Sequence, residues 1–312
     1  MSAVTTSDQL YVKPWQAREE TTEGTFIDSS DGGSTLYTQI YGQLPPVISA
    51  SIKVGHNYRD VAQVGPEDLL AIKRGKKFVE FSLTLQISDT YKSFPKYLWN
   101  AANAASPSGT PSKSLSMFMS KYRNNAGSLV EYYFKFTGCR IKTSTSTLKE
   151  DGDWEVACDF IALNLTITTS GLSTATPKTT FPSEETWDFD DGGVGHCTWN
   201  GTAVLLKELS VTIDRKTKVT HVTGNRIGYS SRTHGRRIAG TIKVVDDGES
   251  GMATDAEGDT YRTLAIVMKT GQTTMTLLNC KLKDLSEEAS GDSEDETVRT
   301  YAFTAKSIQD VS

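Results

Sequence analysis

A chain of 312 residues, 37% hydrophobic and 23% charged, has enough apolar material for real cores, and its length suits two units of roughly 150 residues. A net charge of −5 and a pI near 5.5 exclude the broad basic surface that nucleic-acid recognition requires. The opening Met1–Asp8 lacks a secretory pattern and no run approaches the ~20 apolar residues of a membrane span, so the expectation is a protein made in a cytosol and kept away from membranes.

Residues 1–35 are mostly polar, with a turn at Ser30–Ser34. They read as an extended N-terminal arm carrying a short strand near Gln9–Val12. Such an arm has too few apolar residues to fold alone, so it either dangles or lies along another subunit. Removing residues 1–25 is then expected to leave the rest folded and to weaken polymerisation.

A short alternating run, Leu36–Ile40, precedes Leu44-Pro45-Pro46. Ile48–Val54 and Val79–Ile87 then alternate apolar and polar residues, the signature of strands buried on one face. Between them lies a long loop ending in the basic run Lys73–Lys77. Ser93–Ala104 repeats its apolar residues at helical spacing and predicts a helix, closed by the Ser/Pro loop 105–112. Ser114–Tyr122 suits either a strand or a further helical turn. Leu129–Ile141 and Trp154–Thr168 read as strands joined by a polar hairpin at Thr147–Asp153. The Thr/Ser/Pro-rich stretch 170–184 reads as a linker, with a boundary near residue 180.

The second half repeats the first. An offset of about 159 residues places Ala50, Ile52 and Val54 on Leu209, Val211 and Ile213, and Val79, Phe81, Leu83 and Leu85 on Ile238, Gly240, Ile242 and Val244. At 141 to 143, Cys139–Lys142 matches Cys280–Lys283 and Phe160 matches Phe303. The shortening falls on the predicted helix, whose expected counterpart is a shorter helix over Thr260–Thr270. The fold class is therefore mainly β: two tandem, similar antiparallel β-sandwich or half-barrel domains, each with one flanking helix, over residues 36–180 and 181–312. Fused like domains can occupy adjacent places in a ring, so that three chains imitate six-fold symmetry.

Chemistry-bearing patterns are thin. The histidines His56, His196, His221 and His234 lack any metalloprotease or nucleophile-elbow context, and no catalytic group is assigned. The acidic runs at 188–191, 246–249 and 255–259 miss the EF-hand spacing and suit turns, so neither metal nor cofactor is expected. Cys139 and Cys158 fall on neighbouring strands, but a reducing compartment favours free thiols for all four cysteines, with Cys197 and Cys280. Trp187 and Trp199 suit either a sugar-stacking platform or core packing. The first option leaves an alternative function open: a soluble β-sandwich module for receptor or carbohydrate binding. The basic loops could hold phosphates. Charge complementarity with the acidic hairpin Glu287–Glu296 of a neighbouring copy is the more economical reading.

The segment Glu20-Thr21-Thr22-Glu23-Gly24-Thr25 resembles the E-x-T-x-G-T element near the N-terminus of the tail tube proteins of tailed bacterial and archaeal viruses, especially the group with two tube domains per subunit. The strand, long loop, Gly-Lys-Lys or Gly-Arg-Arg and strand of each half are similar too. The resemblance implies homo-oligomeric rings stacked into a hollow virion tail tube and made in the host cytoplasm; the duplication favours a trimer with pseudo-six-fold symmetry, with six chains per ring left open. It implies passage of DNA, without sequence preference, and of a tape-measure protein through the lumen, and contacts with baseplate or tip and tail-terminator proteins. Candidate lumen-facing residues are then Ser51, Lys53, Glu80, Ser82, Thr84, Gln86, Ser210, Thr212, Thr241 and Lys243. Candidate inter-subunit or inter-ring contacts are His56, Arg59, Lys73, Arg74, Lys76, Lys77, Lys216, Lys218, Arg232, Arg236, Arg237, Glu287, Glu288, Asp292 and Glu294.

Overall fold

The computed structural model of the chain describes residues 10–20, 22–25, 44–62, 69–88, 114–125, 127–170, 186–193, 195–233, 235–245, 251–271, 273–288 and 297–311. The alternating run at 36–40, the predicted helix at 93–104, the Ser/Pro loop and the linker at 171–184 lie outside these residues. The first half contributes β1 (Leu10–Glu19), β2 (Val47–Ala62), β3 (Leu69–Gln86), β4 (Leu115–Asn125), β5 (Ser128–Lys149), β6 (Glu155–Ala162) and β7 (Asn164–Thr168). The second contributes β8 (Cys197–Trp199), β9 (Thr202–Ala203), β10 (Leu206–Asp214), β11 (Thr217–Thr220), β12 (Ser230–Thr233) and β13 (Arg237–Val245). It continues through α1 (Met252–Glu257) to β14 (Arg262–Lys269), β15 (Thr273–Glu288), β16 (Val298–Ala305) and β17 (Ser307–Val311). The fold is mainly β and antiparallel, as its alternating strands predict.

Eight strands form one continuous wall in the order β2-β3-β6-β5-β10-β13-β16-β15. The first four and the last four repeat one another in pairing register. Ile52 faces Phe81 where Val211 faces Gly240, and Phe81 faces Phe160 where Gly240 faces Phe303. Even the irregularities recur, since the ladder slips between Ile141 and Thr143 in β5 and between Leu282 and Asp284 in β15.

The long strands β5 and β15 leave the wall at one end and enter a smaller sheet. β5 joins β4 and β7, with β1 beyond β4; β15 joins β14 and β17, with β8 beyond β14. The crossover sits at a residue in the left-handed region, Gly138 (φ 61) in β5 and Asn279 (φ 53) in β15, each followed by a fully buried cysteine. Glycine and asparagine are the residues that adopt this backbone most readily. The first is also sterically required, because a Cβ at Gly138 would lie 2.4 Å from the Leu163 side chain.

Between wall and smaller sheet the apolar faces meet. In the first half an aromatic stack fills the layer: Trp15 against Phe81 and Phe136 at 5.7 and 5.5 Å, and Phe81 against Phe160 at 4.8 Å and 4°. In the second half Gly240 occupies the place of Phe81. A Cβ there would lie 2.1 Å from the Ser210 carbonyl and 2.6 Å from the Phe303 ring, so the close approach of β10 and Phe303 excludes any side chain.

Three expectations are corrected. The long loop expected between Val54 and Val79 is mostly paired strand, since β2 runs to Ala62 and β3 starts at Leu69. The N-terminal segment is no free arm from residue 10 on: β1 pairs with β4 of its own chain, and Trp15 and Ala17 are buried at its inner face. Nor is Thr260–Thr270 a helix. Leu264, Ile266 and Met268 alternate into the core and their strand pairs with β15, so period two prevails over the 3–4 spacing that Tyr261, Leu264, Ala265 and Met268 also satisfy. The short helix forms just before it, burying Met252 and Asp255.

Candidate functional site

The face of the wall turned away from the core is built from hydroxyls and balanced charge. Because the eight strands are in register, its residues form rows across the whole sheet. One row runs Ser49, Thr84, Ala157, Thr145, Thr212, Ala239, Thr304. Within it Ser49 Oγ donates to Thr84 Oγ1, and Thr145 and Thr212 share a hydroxyl bond, both at 3.0 Å. In a neighbouring row Asp159 accepts from Ser82 at 2.6 Å and from Thr143 at 2.5 Å. Charges pair across strands, Lys142 with Glu80 at 3.8 Å and Lys149 with Glu208 at 3.9 Å.

The ten residues expected from the sequence to face a lumen all lie on this side of the wall, turned away from the core. Ser51, Lys53, Ser82 and Thr241 are exposed; Glu80, Thr84, Gln86, Ser210, Thr212 and Lys243 are half-buried and alternate with buried Phe81, Leu83, Leu85, Leu209, Val211 and Ile242.

The second group of residues divides. Lys77 is tied within the chain, its ammonium donating to Asn164 Oδ1 at 2.6 Å and to the Leu165 carbonyl at 3.1 Å, and burial lowers its pKa. Burial likewise lowers that of Arg236, which is half-buried. Lys76, Lys216, Lys218, Arg232 and Arg237 are exposed, and His56 is half-buried, its Nδ1 without a hydrogen-bond partner among the described residues. Arg59, Lys73, Arg74, Glu287 and Glu288 belong to strand backbones whose side chains lie outside the described part, and Asp292 and Glu294 lie wholly outside it.

The loop after β10 folds back on the first half. Its hairpin β11–β12 sits over β5 and the β6–β7 turn: Thr217 Oγ1 donates to the Ile141 carbonyl at 2.8 Å, and Lys77 N donates to the Arg226 carbonyl at 2.9 Å. Burial, and then the nearby Lys76 charge, lower the pKa of His221 in this loop.

Two glutamates of the E-x-T-x-G-T element carry roles that sequence reading did not assign. Glu20, only 4% exposed, accepts four hydrogen bonds: Ser114 Oγ and Gly24 N on Oε2 at 2.6 and 2.8 Å, Ser116 Oγ and Gly138 N on Oε1 at 3.0 and 2.8 Å. It thereby holds the turn after β1, the start of β4 and the crossover of β5 together. Glu23 Oε1 accepts from Ser231 N and Oγ at 2.7 and 2.5 Å, pinning β12 to the first half. Apart from Gly24 within the element, the partners lie from 94 to 208 residues away in sequence, so only the pattern itself was a signal.

The remaining candidates are structural. Trp187 and Trp199 are buried, which removes the sugar-stacking platform; Trp154 N donates to the Trp187 carbonyl and Trp199 Nε1 to Asp255 Oδ2, both at 2.8 Å. Asp188 accepts from Asp190 N and Asp191 N in a tight turn, and His196 Nδ1 sits 2.9 Å from the Gly193 carbonyl. All four cysteines are free and buried.

A register-matched double sheet with a hydroxyl-rich outer face and two edges unpaired among the described residues defines a β-structured building block. The chain belongs to the phage tail tube protein family, whose model matches residues 16–305; it is a structural protein of the phage tail. No curated protein matches it. No helix among the described residues is long and apolar enough to cross a membrane.

Proposed function

We propose that three copies of this chain close into a ring whose eight-strand walls join into a 24-stranded barrel, and that stacked rings form a tube for passage of DNA. The supporting observation is the in-register repetition of four strands within one unbroken sheet. In this reading the two units expected from the sequence, residues 36–180 and 181–312, are equivalent neighbours along one wall. With strands about 4.8 Å apart and tilted about 40°, 24 strands give a barrel roughly 48 Å across between backbones. Six chains would double that to about 96 Å.

The outer face of the wall lines the lumen in this reading. Two of its lysines, Lys142 and Lys149, pair with carboxylates across the strands, which leaves fewer cations on which passing phosphates could release counterions. The hydroxyl rows stay wet and bind without preference. Tape-measure, tip and terminator proteins are the expected partners at the tube's interior and ends.

Purified full-length protein viewed by negative-stain electron microscopy is expected to show rings or hollow tubes. A clean monomer at high concentration would contradict the reading.

A further inference from the structure

The smaller sheet of the first half carries two cations on its core-side face. Past the slip after Leu115, β4 alternates without interruption, so Met117, Met119, Lys121 and Arg123 share a face, opposite Phe136, Phe134, Tyr132 and Val130 of β5. The two methionines and two phenylalanines belong to the core, and Tyr132 packs against it. Lys121 follows them inward and is only 9% exposed, whereas Arg123 is exposed.

Both cations lean on one ring. Lys121 Nζ lies 5.3 Å from the centre of Phe134, and the Arg123 guanidinium lies 5.3 Å from the same ring and 5.5 Å from Tyr132. A ring face attracts a cation, but it does not neutralise two. Among the described residues no carboxylate pairs with either side chain. The one carboxylate of β4 and β5, Glu131, is on the opposite face, where it accepts from Ser120 Oγ and Tyr133 Oη, both at 2.7 Å. Burial, and then the charge of Arg123, lower the pKa of Lys121. A nearly buried ammonium beside a like charge is costly unless a counterion joins it.

We propose that Lys121 and Arg123 together receive a carboxylate from outside the chain, that of a glutamate side chain of a partner polypeptide. Arg123 over the rings presents N–H groups to a planar carboxylate, Lys121 adds a second contact at the inner end, and Tyr132 gives the apolar stem a floor. Phosphate suits the site less, because two side chains supply the donors and no helix N-terminus or amide nest adjoins them among the described residues. The site lies on the smaller sheet and not on the outer face of the wall, and it does not depend on the ring reading.

The test uses sodium propionate, which carries the stem and carboxylate of a glutamate side chain, against sodium chloride, each at about 200 mM. With a Kd on the order of 20 mM, modest for so small a ligand, propionate is expected to raise the melting temperature of the full-length chain by about 2 °C over chloride. Lys121→Met is expected to melt about 2–4 °C above the unaltered chain in chloride, since it removes an uncompensated charge, and to lose the response to propionate. Arg123→Gln should lose that response too, while Lys218→Met, on the exposed β11–β12 hairpin, should keep it. Equal melting of the unaltered chain in both salts, a Lys121→Met protein less stable than the unaltered chain, or an equal response with and without Lys121 would each overturn the site. A Lys121-dependent response to inorganic phosphate with none to propionate would overturn the carboxylate assignment.

Discussion

Replacing Glu20 with alanine is expected to cost about 3 kcal/mol or more, and to lower the melting temperature by roughly 5 °C. The carboxylate is buried and accepts from two serine hydroxyls and two backbone amides. The hydroxyls can turn to other acceptors, but the amides of Gly24 and Gly138 are fixed by their backbones. Each amide left buried and unpaired costs about 1–3 kcal/mol. Glu20→Gln is expected to be nearly as harmful, since one of its two terminal atoms becomes a donor facing donors. Glu23→Ala should be milder, because Glu23 is half-buried and holds one hairpin instead of three elements. Thermal melts followed by circular dichroism rank the three variants, and a Glu20→Ala protein as stable as the unaltered chain would remove the structural role of the motif.

The second large effect concerns the N-terminus. Trp15→Ala is expected to destabilise by about 3–5 kcal/mol, because it empties one side of the stack against Phe81 and Phe136. Deleting residues 1–19 should be worse, since it also strips β4 of its outer partner. Limited proteolysis of the truncated protein is expected to cleave the first half rapidly. Rates equal to those of the full chain would show that β1 is dispensable and restore the view of a free arm.

These two effects mark where sequence reading stopped short. Half-exposed strands such as Ile48–Val54 and Val79–Ile87 announce themselves by alternation, because one face meets a core and the other water. The repeat was legible for the same reason, as equivalent positions meet equivalent surroundings. β1 was obscured because its inward residues, Trp15 and Ala17, are few among polar neighbours and derive their burial from strands far along the chain. β14 was obscured because its apolar residues satisfy two periodicities at once. Three properties left no local trace: the burial of Glu20, the left-handed Asn279 at the second crossover, and the union of both halves through β5 and β10. The last depends on a Thr/Ser-rich stretch, Thr143–Thr147, that reads as an ordinary polar strand end but carries the ladder joining the halves.

That union gives the charge pattern its meaning. Carboxylates and lysines scattered in sequence, Glu80 with Lys142 and Glu208 with Lys149, come together as cross-strand pairs on one face of the wall. Exposed Lys216, Lys218 and Arg232 sit on or beside the β11–β12 hairpin, while exposed Lys53, Lys76 and Arg237 lie on the wall strands β2, β3 and β13.

The most direct measurement is the number of chains per ring, read from the symmetry of tubes imaged by electron cryomicroscopy. Three chains per ring, with 24 wall strands and β15 of each chain beside β2 of the next, is the predicted result. Six chains around a lumen about twice as wide, or a ring in which the β2 edge stays open to solvent, would contradict it.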